Sequence, residues 1–398
     1  MVTSPSEAPV GVVDVAEGVS VQPVTHGPKH HFFGYYDKCP WDRSDGRMLA
    51  MQIGFCDRQP KPGEKLSVGM VALDSGRYIE LDQTAAWSWQ QGTMLQWLAG
   101  ADNRIIYNTD DGEQYGSVIR KVDTGRTRAL PRPVYAVSED GQQAVTLDFD
   151  RVHRLRPGYG YASRPEGTAD DPAPADSGIW QMDLQTGASK LIVPLAWAAE
   201  HEPRPDMAGA HHWFNHLTFN PGGSRFIFLH RWAAGGGGFR ATRLYTANAD
   251  GSDVRLLRDD GMTSHYTWRD DQTILAWTRT ATQGDHYYLI DDRTGAYETV
   301  GTAVLTQDGH CTFSPDGRWI LTDTYWDADS RRTLILYRMA DGRRLDLGRF
   351  FSPRQYPVEC RCDLHPRWNR DGTRICIDSF HESTRQIYVV DVSAIVGS

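Results

Sequence analysis

The sequence predicts an all-β protein, a seven-bladed β-propeller built of four-stranded antiparallel blades. Three observations support this fold class. A two-part cassette recurs seven times along the 398 residues, at a period of roughly 40–55 residues that is typical of repeat architectures. Strands that alternate apolar and polar residues flank Asp-Gly turns, a pattern that favours β-hairpins. Helical periodicity is almost absent, and radial closure of such units protects their strand edges.

Each cassette begins with a polar turn and a strand. These first halves are RSDGRMLAM, GADNRIIYN, SEDGQQAVTL, NPGGSRFIFL, RDDQTILAW, SPDGRWILT and NRDGTRICI. Each second half carries a strand that ends near Asp-x-x-x-Gly. These are VALDSGRYIEL, RKVDTGRTRAL, QMDLQTGASKLI, TANADGSDVRLL, LIDDRTGAYETV, YRMADGRRLDL and the shorter IYVVDVSAI. One cassette therefore predicts one blade.

The cassettes also set the domain boundaries. Residues 1–25 precede them and are predicted to be an N-terminal tail, and residues 26–398 form a single propeller. A segment rich in Pro, Gly and Asp, at about 151–178, separates the third and fourth units and is predicted to be an inserted loop. The glycine-rich stretch AAGGGGFRATR, between His230 and Arg243, is predicted to be a flexible loop.

The insertion has two interpretations. It is either a disordered segment or a lid that contacts substrate. The second interpretation depends on side chains that could meet an anionic sugar, namely Arg154, Arg156, Tyr159 and Tyr161.

Composition excludes several classes of function. The net charge of -9 argues against a nucleic-acid partner. No apolar run approaches the roughly 18 residues needed to span a membrane, and the first residues lack a secretion signal. Six cysteines are too few for a disulfide framework in a chain of this length. These features predict a cytoplasmic protein with reduced thiols.

Histidines recur at one register, a few residues before the turn of a blade. They lie in FNHLTFNPGG, SHYTWRDD, GHCTFSPDG and CDLHPRWNRDG, and are His216, His265, His310 and His365. A single histidine is usually structural. Equivalent positions in a closed ring converge on its axis, however, so this register predicts one shared site.

The last two histidine segments also predict a transition-metal site. Imidazole, thiolate and carboxylate groups form such a shell. The candidate ligands are His310, Cys360, Asp363 and His365, with Cys362 as a substitute. Because strand residues alternate between faces, a bulge would be needed for all of them to converge. Alternatively, Cys360 and Cys376 are small core residues.

The remaining chemistry is proton transfer. Histidine titrates near neutral pH and can remove an activated proton. Arg243 could neutralise a uronate carboxylate with its guanidinium fork, after which the leaving group would depart by β-elimination. The sequence contains no G-x-S-x-G elbow, G-x-G-x-x-G motif or P-loop. Nothing singles out a carboxylate pair for glycoside hydrolysis.

These segments, in this order, resemble the oligogalacturonate lyases, seven-bladed propellers that cleave uronate oligomers by β-elimination. The segment KHHFFGYYDKCPWDRSDGRMLA is similar to the opening of the family, and FNHLTFNPGGSRFIFLHRW to its Gly-His-Pro segment. By resemblance, TRLYTANADGSD places the active-site arginine on Arg243, and SHYTWRDD places the base on His265. GHCTFSPDG carries the first metal histidine, His310.

The final metal segment departs from the family. ECRCDLHPRWNRDG aligns with Gln-x-x-His-x-His-Pro, so Cys360 replaces the glutamine, Asp363 replaces a histidine and His365 remains. This shell favours zinc over the manganese of the family, or a purely structural metal. The propeller ulvan lyases share general features and use a catalytic tyrosine, which would place the base on Tyr266. Only one of His265 and Tyr266 can face the cavity, and we favour His265.

The sequence therefore predicts a polysaccharide lyase that cleaves an anionic, uronate-containing oligosaccharide with the help of Zn or Mn and leaves an unsaturated uronate end. The predicted catalytic residues are His265, Arg243, His230 and Tyr266. The predicted substrate contacts are His31, His216, His212, Arg156 and Tyr159. The alternative is a non-catalytic propeller that binds a carbohydrate or a protein and carries a structural metal. A lyase needs base, cation and space to converge, whereas a scaffold can fill its channel with side chains.

Overall fold

The computed structural model describes residues 11–100, 103–233 and 241–397. Two short strands, β1 (Val12–Val13) and β2 (Ser20–Pro23), precede the first blade. Blade 1 contains β3 (His30–Phe32), β4 (Arg47–Ile53), β5 (Leu66–Ala72) and β6 (Arg77–Thr84). Blade 2 contains β7 (Gln96–Trp97), β8 (Arg104–Asp110), β9 (Tyr115–Lys121) and β10 (Thr127–Leu130). Blade 3 contains β11 (Ala136–Val137), β12 (Gln143–Thr146), β13 (Gly178–Asp183) and β14 (Ser189–Pro194).

The second half of the ring follows the same plan. Blade 4 contains β15 (His211–Phe219), β16 (Arg225–Ala233), β17 (Ala241–Asn248) and β18 (Arg255–Arg258). Blade 5 contains β19 (Thr263–Trp268), β20 (Thr273–Thr280), β21 (Gly284–Asp291) and β22 (Tyr297–Val300). Blade 6 contains β23 (Thr312–Phe313), β24 (Trp319–Asp323), β25 (Arg331–Arg338) and β26 (Arg344–Phe351). Blade 7 contains β27 (Arg367–Trp368), β28 (Arg374–Ser379) and β29 (Gln386–Asp391). The predicted seven-bladed β-propeller is confirmed.

Helices are short and lie between strands. The α-helices are α1 (Phe149–Leu155), α2 (Leu195–Glu200) and α3 (Ser393–Val396). Single 3-10 turns cover Pro205–Met207 and Val358–Cys360. Within the described ranges, no helix is long and apolar enough to cross a membrane.

The hydrophobic core lies mainly between neighbouring blades. The contact between blades 4 and 5 is an example, because Ile227 and Leu244 of blade 4 pack with Tyr266, Ile274 and Tyr288 of blade 5. One strand face of each blade is therefore buried against the next blade, which accounts for the apolar and polar alternation along the strands.

The Asp-x-x-x-Gly turns join the two outer strands of a blade. Between β21 and β22, the Oδ1 atom of Asp291 accepts hydrogen bonds from the backbone N–H groups of Arg293 (3.0 Å) and Thr294 (2.7 Å). Gly295 then takes a φ of 68°, in the left-handed region that glycine reaches without steric cost.

The N-terminal segment closes the ring. Strand β2 pairs antiparallel with β29, from Ser20 opposite Asp391 to Pro23 opposite Tyr388, and supplies the fourth strand of blade 7. Strand β1 pairs with β26 and adds a fifth strand to blade 6. The prediction of a tail over residues 1–25 is therefore wrong for these two strands. The shortened seventh cassette leaves a strand edge that the N-terminal segment covers.

The insertion lies between β12 and β13 of blade 3, and it contains α1. Arg151 of α1 is buried and forms an ion pair with Glu166 of the same insertion. Its Nε atom also donates to the carbonyl of His212 in blade 4, at 2.6 Å. These contacts fasten the insertion to the propeller. The predicted glycine-rich loop falls mostly on residues 234–240, outside the described residues.

Candidate functional site

Four histidines converge on the propeller axis around a single aromatic ring. The ring centroid of Tyr36 lies 5.4 Å from that of His216, 5.7 Å from His265, 5.2 Å from His310 and 6.4 Å from His365. Each histidine is at most 3% exposed. The convergence expected from their shared register is confirmed.

Two tyrosines fill the centre of the channel. The Tyr36 hydroxyl accepts from the Tyr266 N–H and donates to the Tyr266 carbonyl, both at 3.0 Å. The ring of Tyr35 packs 4.8 Å from His216 and 5.1 Å from His365. The chain reaches this position through Gly34, whose φ is 127° and where a Cβ atom would approach the Gln91 carbonyl to 2.9 Å.

Three side chains on one side of the axis form a candidate metal site. One ligand atom each of His310, Asp363 and His365 lie within 4.8 Å of one another. The Nδ1 atom of His310 contacts Asp323 Oδ1 at 2.8 Å, and that of His365 donates to the Gly34 carbonyl at 2.8 Å. Both Nε2 atoms are buried without a hydrogen-bond partner. Imidazoles fixed through Nδ1, with their Nε2 atoms free, suit a divalent transition metal.

Asp363 is an ionised carboxylate in this site. An Arg332 amino group lies 2.6 Å from its Oδ1 atom, and Arg361 Nε lies 2.9 Å from its Oδ2 atom. Burial raises the pKa of Asp363, but these two guanidinium groups outweigh it and bring the pKa to about 2. A carboxylate that stays charged in a buried position is a suitable ligand for Zn or Mn.

Cys360 does not join this cluster. Within the described residues, the ligand group consists of the two histidines and Asp363 alone. Cys360 ends a 3-10 turn and packs in a hydrophobic cluster with Cys362 and Cys376. Burial raises the pKa of its thiol to about 12. The prediction of Cys360 as the fourth ligand is therefore not supported, because a neutral core thiol is a poor metal ligand.

His265 lies beside the candidate metal site. Its ring centroid is 4.2 Å from that of His310, and its Nδ1 atom contacts Asp308 Oδ1 at 2.9 Å. Burial lowers the pKa of His265, with Asp308 opposing and His310 adding to the decrease. In the neutral ring whose proton is on Nδ1, the Nδ1–H group donates to Asp308 and Nε2 carries the basic lone pair.

Tyr266 faces away from His265 and packs between blades. Its ring stacks 4.3 Å from that of His216, and its hydroxyl donates to the His216 carbonyl. Burial raises the pKa of Tyr266 well above its ordinary value. Tyr266 therefore adjoins the axial group through His216, but its hydroxyl is occupied by a backbone carbonyl, whereas the His265 ring lies beside His310.

The backbone at the axis is also unusual. His216 and His365 both take positive φ angles, 53° and 42°. Left-handed geometry is uncommon for residues other than glycine and costs about 1 kcal/mol or more. Two of the four equivalent histidines thus hold an unfavourable conformation that turns their rings towards Tyr35.

Arg243, His230 and His212 lie together in blade 4 and are called the blade-4 cluster here. The Arg243 guanidinium donates to the carbonyls of residues 201 (2.8 Å) and 202 (2.6 Å) and pairs with Asp259 at 2.8 Å. His212 Nδ1 and His230 Nε2 are 2.8 Å apart, and their rings stack. All three side chains are at most 2% exposed. Their contacts lie within blade 4 and the adjoining segment, so the structure does not bring them into the axial group.

His31 is also held away from the axial group. Its Nδ1 atom contacts Gln386 Oε1 at 2.9 Å, and its Nε2 atom contacts the Gln52 amide at 2.7 Å. Both ring nitrogens are therefore occupied by protein partners. The predicted role of His31 as a substrate contact has no geometric support in this arrangement.

The insertion brings Arg156 and Tyr159 next to the axial group. The Tyr159 hydroxyl accepts from an Arg361 amino group at 2.9 Å. The Arg156 guanidinium lies 4.2 Å from the centroid of the Tyr159 ring, and Tyr35 packs 6.3 Å from that ring on its edge. These two predicted substrate contacts therefore adjoin the axial site.

Several residues of the site were not predicted. They are Tyr35, Tyr36, Asp308, Asp323, Arg332 and Arg361. Asp323 carried a signal, because the register that pairs Thr312 with Leu321 places it directly across from His310. Asp308 lies two residues before His310, so it too could have been found. Arg332 and Arg361 contact Asp363. No sequence pattern near these residues predicts such contacts.

Two solved structures are similar to this chain over nearly its whole length. An oligogalacturonate lyase from Vibrio parahaemolyticus is 14% identical, covers 97% of this chain and 99% of its own, and has a TM-score of 0.66. An oligogalacturonate lyase in complex with manganese is 15% identical, covers 98% of each chain, and has a TM-score of 0.69. At such identities the likeness shows the fold. Sequence comparison finds no matching family model and no matching curated protein.

Proposed function

We propose that this protein is a carbon–oxygen lyase that cleaves a uronate-containing oligosaccharide by metal-assisted β-elimination and leaves an unsaturated uronate end. One observation carries the proposal. A carboxylate-bound histidine, His265, lies with its ring 4.2 Å from His310, a member of a buried His-Asp-His cluster. A base beside a candidate divalent-metal site is the arrangement that proton abstraction next to a carboxylate requires.

The roles follow from the contacts. His265 accepts the proton on Nε2, because Asp308 holds its Nδ1–H and stabilises the imidazolium that forms. His310, Asp363 and His365 would hold the metal, with Asp323 and the Gly34 carbonyl orienting the two imidazoles. The metal, zinc or manganese, would polarise the uronate carboxylate and so acidify the adjacent C–H bond.

The similarity to two oligogalacturonate lyases, one of them a manganese complex, is consistent with this reaction class. It does not choose the sugar or the metal. The departure of the ligand set, with Asp363 and no glutamine or third histidine, gives this chain a two-histidine, one-carboxylate site.

The test of the base is His265→Ala, assayed by the ultraviolet absorbance of the conjugated unsaturated uronate. Removal of a general base is expected to lower turnover by about 100- to 10,000-fold. The matched control is His286→Ala, because His286 is a partly exposed histidine of β21 in the same blade. Full activity in His265→Ala would show that another group removes the proton.

The non-catalytic alternative has an observation in its favour. Tyr35 and Tyr36 occupy the axis and are only 5% and 1% exposed, as expected of a scaffold that fills its channel with side chains. A binding propeller would bind metal and uronate oligosaccharides yet produce no unsaturated product. Metal binding without elimination across a panel of uronate oligosaccharides would therefore favour this alternative.

A further inference from the structure

An elimination of this kind needs a cation for the substrate carboxylate, and the structure offers two places for it. The first is Arg243, the position that the family resemblance indicates. Its guanidinium is fully buried and already engaged by Asp259 and by two backbone carbonyls. With no exposed surface and with these partners, the guanidinium has little capacity left for a ligand.

The second place lies beside the axial group, where the insertion meets the segment before β27. Arg156 comes from the insertion, at the end of α1, and Arg361 comes from the segment that carries Asp363. Tyr159 lies between them. Its hydroxyl accepts a hydrogen bond from Arg361 at 2.9 Å, and its ring centroid lies 4.2 Å from the Arg156 guanidinium. Both arginines are partly exposed, whereas His310, Asp363 and His365 are fully or almost fully buried.

The partner of Arg156 at this position is the phenol of Tyr159. In the part of the chain that the structure describes, no carboxylate pairs with Arg156, and its Nε atom is buried without a hydrogen-bond partner. Arg361 pairs with Asp363 through Nε, and its two amino groups donate to the Val358 carbonyl, at 3.1 Å, and to the Tyr159 phenol. Unlike Arg243, Arg361 remains partly exposed. A partly buried cation whose nearest partner is a phenol, with no carboxylate, would gain from the arrival of a carboxylate.

The pKa of the Tyr159 phenol, between the two arginines, also indicates a positive potential at this position. Burial raises the pKa of Tyr159, but Arg361 and Arg156 outweigh it and lower the pKa to about 7. The pKa of Arg231, also buried nearby, is lowered to about 9 by burial and then by Arg156. A position whose surroundings favour the anionic form of a phenol also suits a carboxylate, which is anionic at neutral pH.

We propose that Arg156 and Arg361 bind the carboxylate of the uronate substrate, with Arg156 supplied by the insertion and Tyr159 as the group that the carboxylate meets or displaces. This inference rests on the proposed function, since it names the substrate-binding half of the same site. It assigns Arg243 to the stability of blade 4. The insertion then contributes Arg156, a cation that lies outside the seven repeated cassettes.

The test compares tri-galacturonate with its methyl ester, which keeps the sugar and removes the charge. Binding is measured by calorimetry on metal-loaded protein, and turnover by the ultraviolet assay. Wild-type protein is expected to prefer the free acid. Arg156→Gln is expected to lower affinity for the acid by about 10- to 100-fold, as for loss of a charge-assisted hydrogen bond, with little change for the ester. Arg361→Gln should have the same effect on the acid, and because Arg361 also contacts Asp363, its metal content is measured first.

Two further variants guard against misfolding. Arg156→Lys keeps the charge without the fork and should retain part of the preference for the acid. Arg338→Gln removes a partly exposed arginine of β25 that pairs with Asp341 and should behave as wild type. Folding of every variant is checked by its thermal unfolding midpoint.

The outcomes separate this inference from the proposed function. Loss of the acid preference in both glutamine variants supports the inference, even if the wild type produces no unsaturated sugar and the lyase proposal fails. A wild type without preference for the acid, or glutamine variants that keep it, would overturn the inference. In the second case, elimination by the wild type would leave the lyase proposal standing.

Discussion

Two groups of buried histidines in this protein differ in what surrounds them. In the axial group, His310 and His365 are each held by a hydrogen bond at Nδ1, and their Nε2 atoms are buried without a partner. In the blade-4 cluster, His212 and His230 contact each other, and Arg243 pairs with Asp259. In the axial group, ligand atoms of three side chains lie within 4.8 Å of one another. In the blade-4 cluster most polar atoms contact the protein, and the unpartnered His230 Nδ1 and Arg243 Nε atoms belong to no such group among the described residues.

The difference follows from position within the blade. The axial histidines lie on or just before innermost strands, where seven equivalent positions face one axis. His230 and Arg243 lie opposite each other on the second and third strands of blade 4, where side chains meet only neighbouring blades and loops. Burial and histidine content alone therefore do not identify a site. The axial histidines are distinguished instead by unpartnered ring nitrogens on segments that converge on one axis.

The largest expected effect comes from removing an axial ligand. His310→Ala should abolish metal binding and lower turnover by about a thousandfold, since a bound metal stabilises the developing charge by several kcal/mol. Metal content is measured by elemental analysis of the purified protein, alongside the ultraviolet assay.

The matched control for this ligand is Cys360→Ser. Because Cys360 packs in the core with its thiol protonated, this variant should keep its full complement of metal. Metal loss in Cys360→Ser, or metal retained in His310→Ala, would show that the ligand set has been assigned wrongly.

The next effect concerns the stability of the blade-4 cluster. Arg243→Ala leaves Asp259 and two carbonyls without their buried partner and should lower the free energy of unfolding by about 3 kcal/mol. The folded protein should keep its kcat/KM within about threefold, as expected for a site remote from the chemistry. Chemical denaturation and steady-state kinetics measure the two quantities. A stable variant with a hundredfold loss of kcat/KM would return Arg243 to the active site.

The smallest effect is expected at Tyr266. Tyr266→Phe removes only the hydroxyl that donates to the His216 carbonyl, so the free energy of unfolding should fall by about 1 kcal/mol. Turnover should stay close to that of the wild type, because the ring still packs against His216. A variant that is stable but inactive would identify Tyr266 as the base in place of His265.

The repeats allowed the fold and the axial convergence to be predicted, because a closed ring turns equivalent register into proximity. The same reasoning could not find β1 and β2, since residues 12–13 and 20–23 lack the cassette and take their structure from the edges of β26 and β29. Cys360 was predicted as a ligand from its sequence neighbours, but a 3-10 turn directs it into the core. Contacts such as Arg361 with Tyr159 join distant segments and depend on the fold itself.

The most direct measurement is the ultraviolet absorbance of the wild-type protein mixed with a panel of uronate oligosaccharides, with added manganese, with added zinc and with a chelator. Growth of the unsaturated-uronate band on one substrate, lost when the metal is removed, is the predicted result and would also name the sugar. A flat trace across the panel, from folded and metal-loaded protein, would contradict the lyase and leave a propeller that binds its ligand without chemistry.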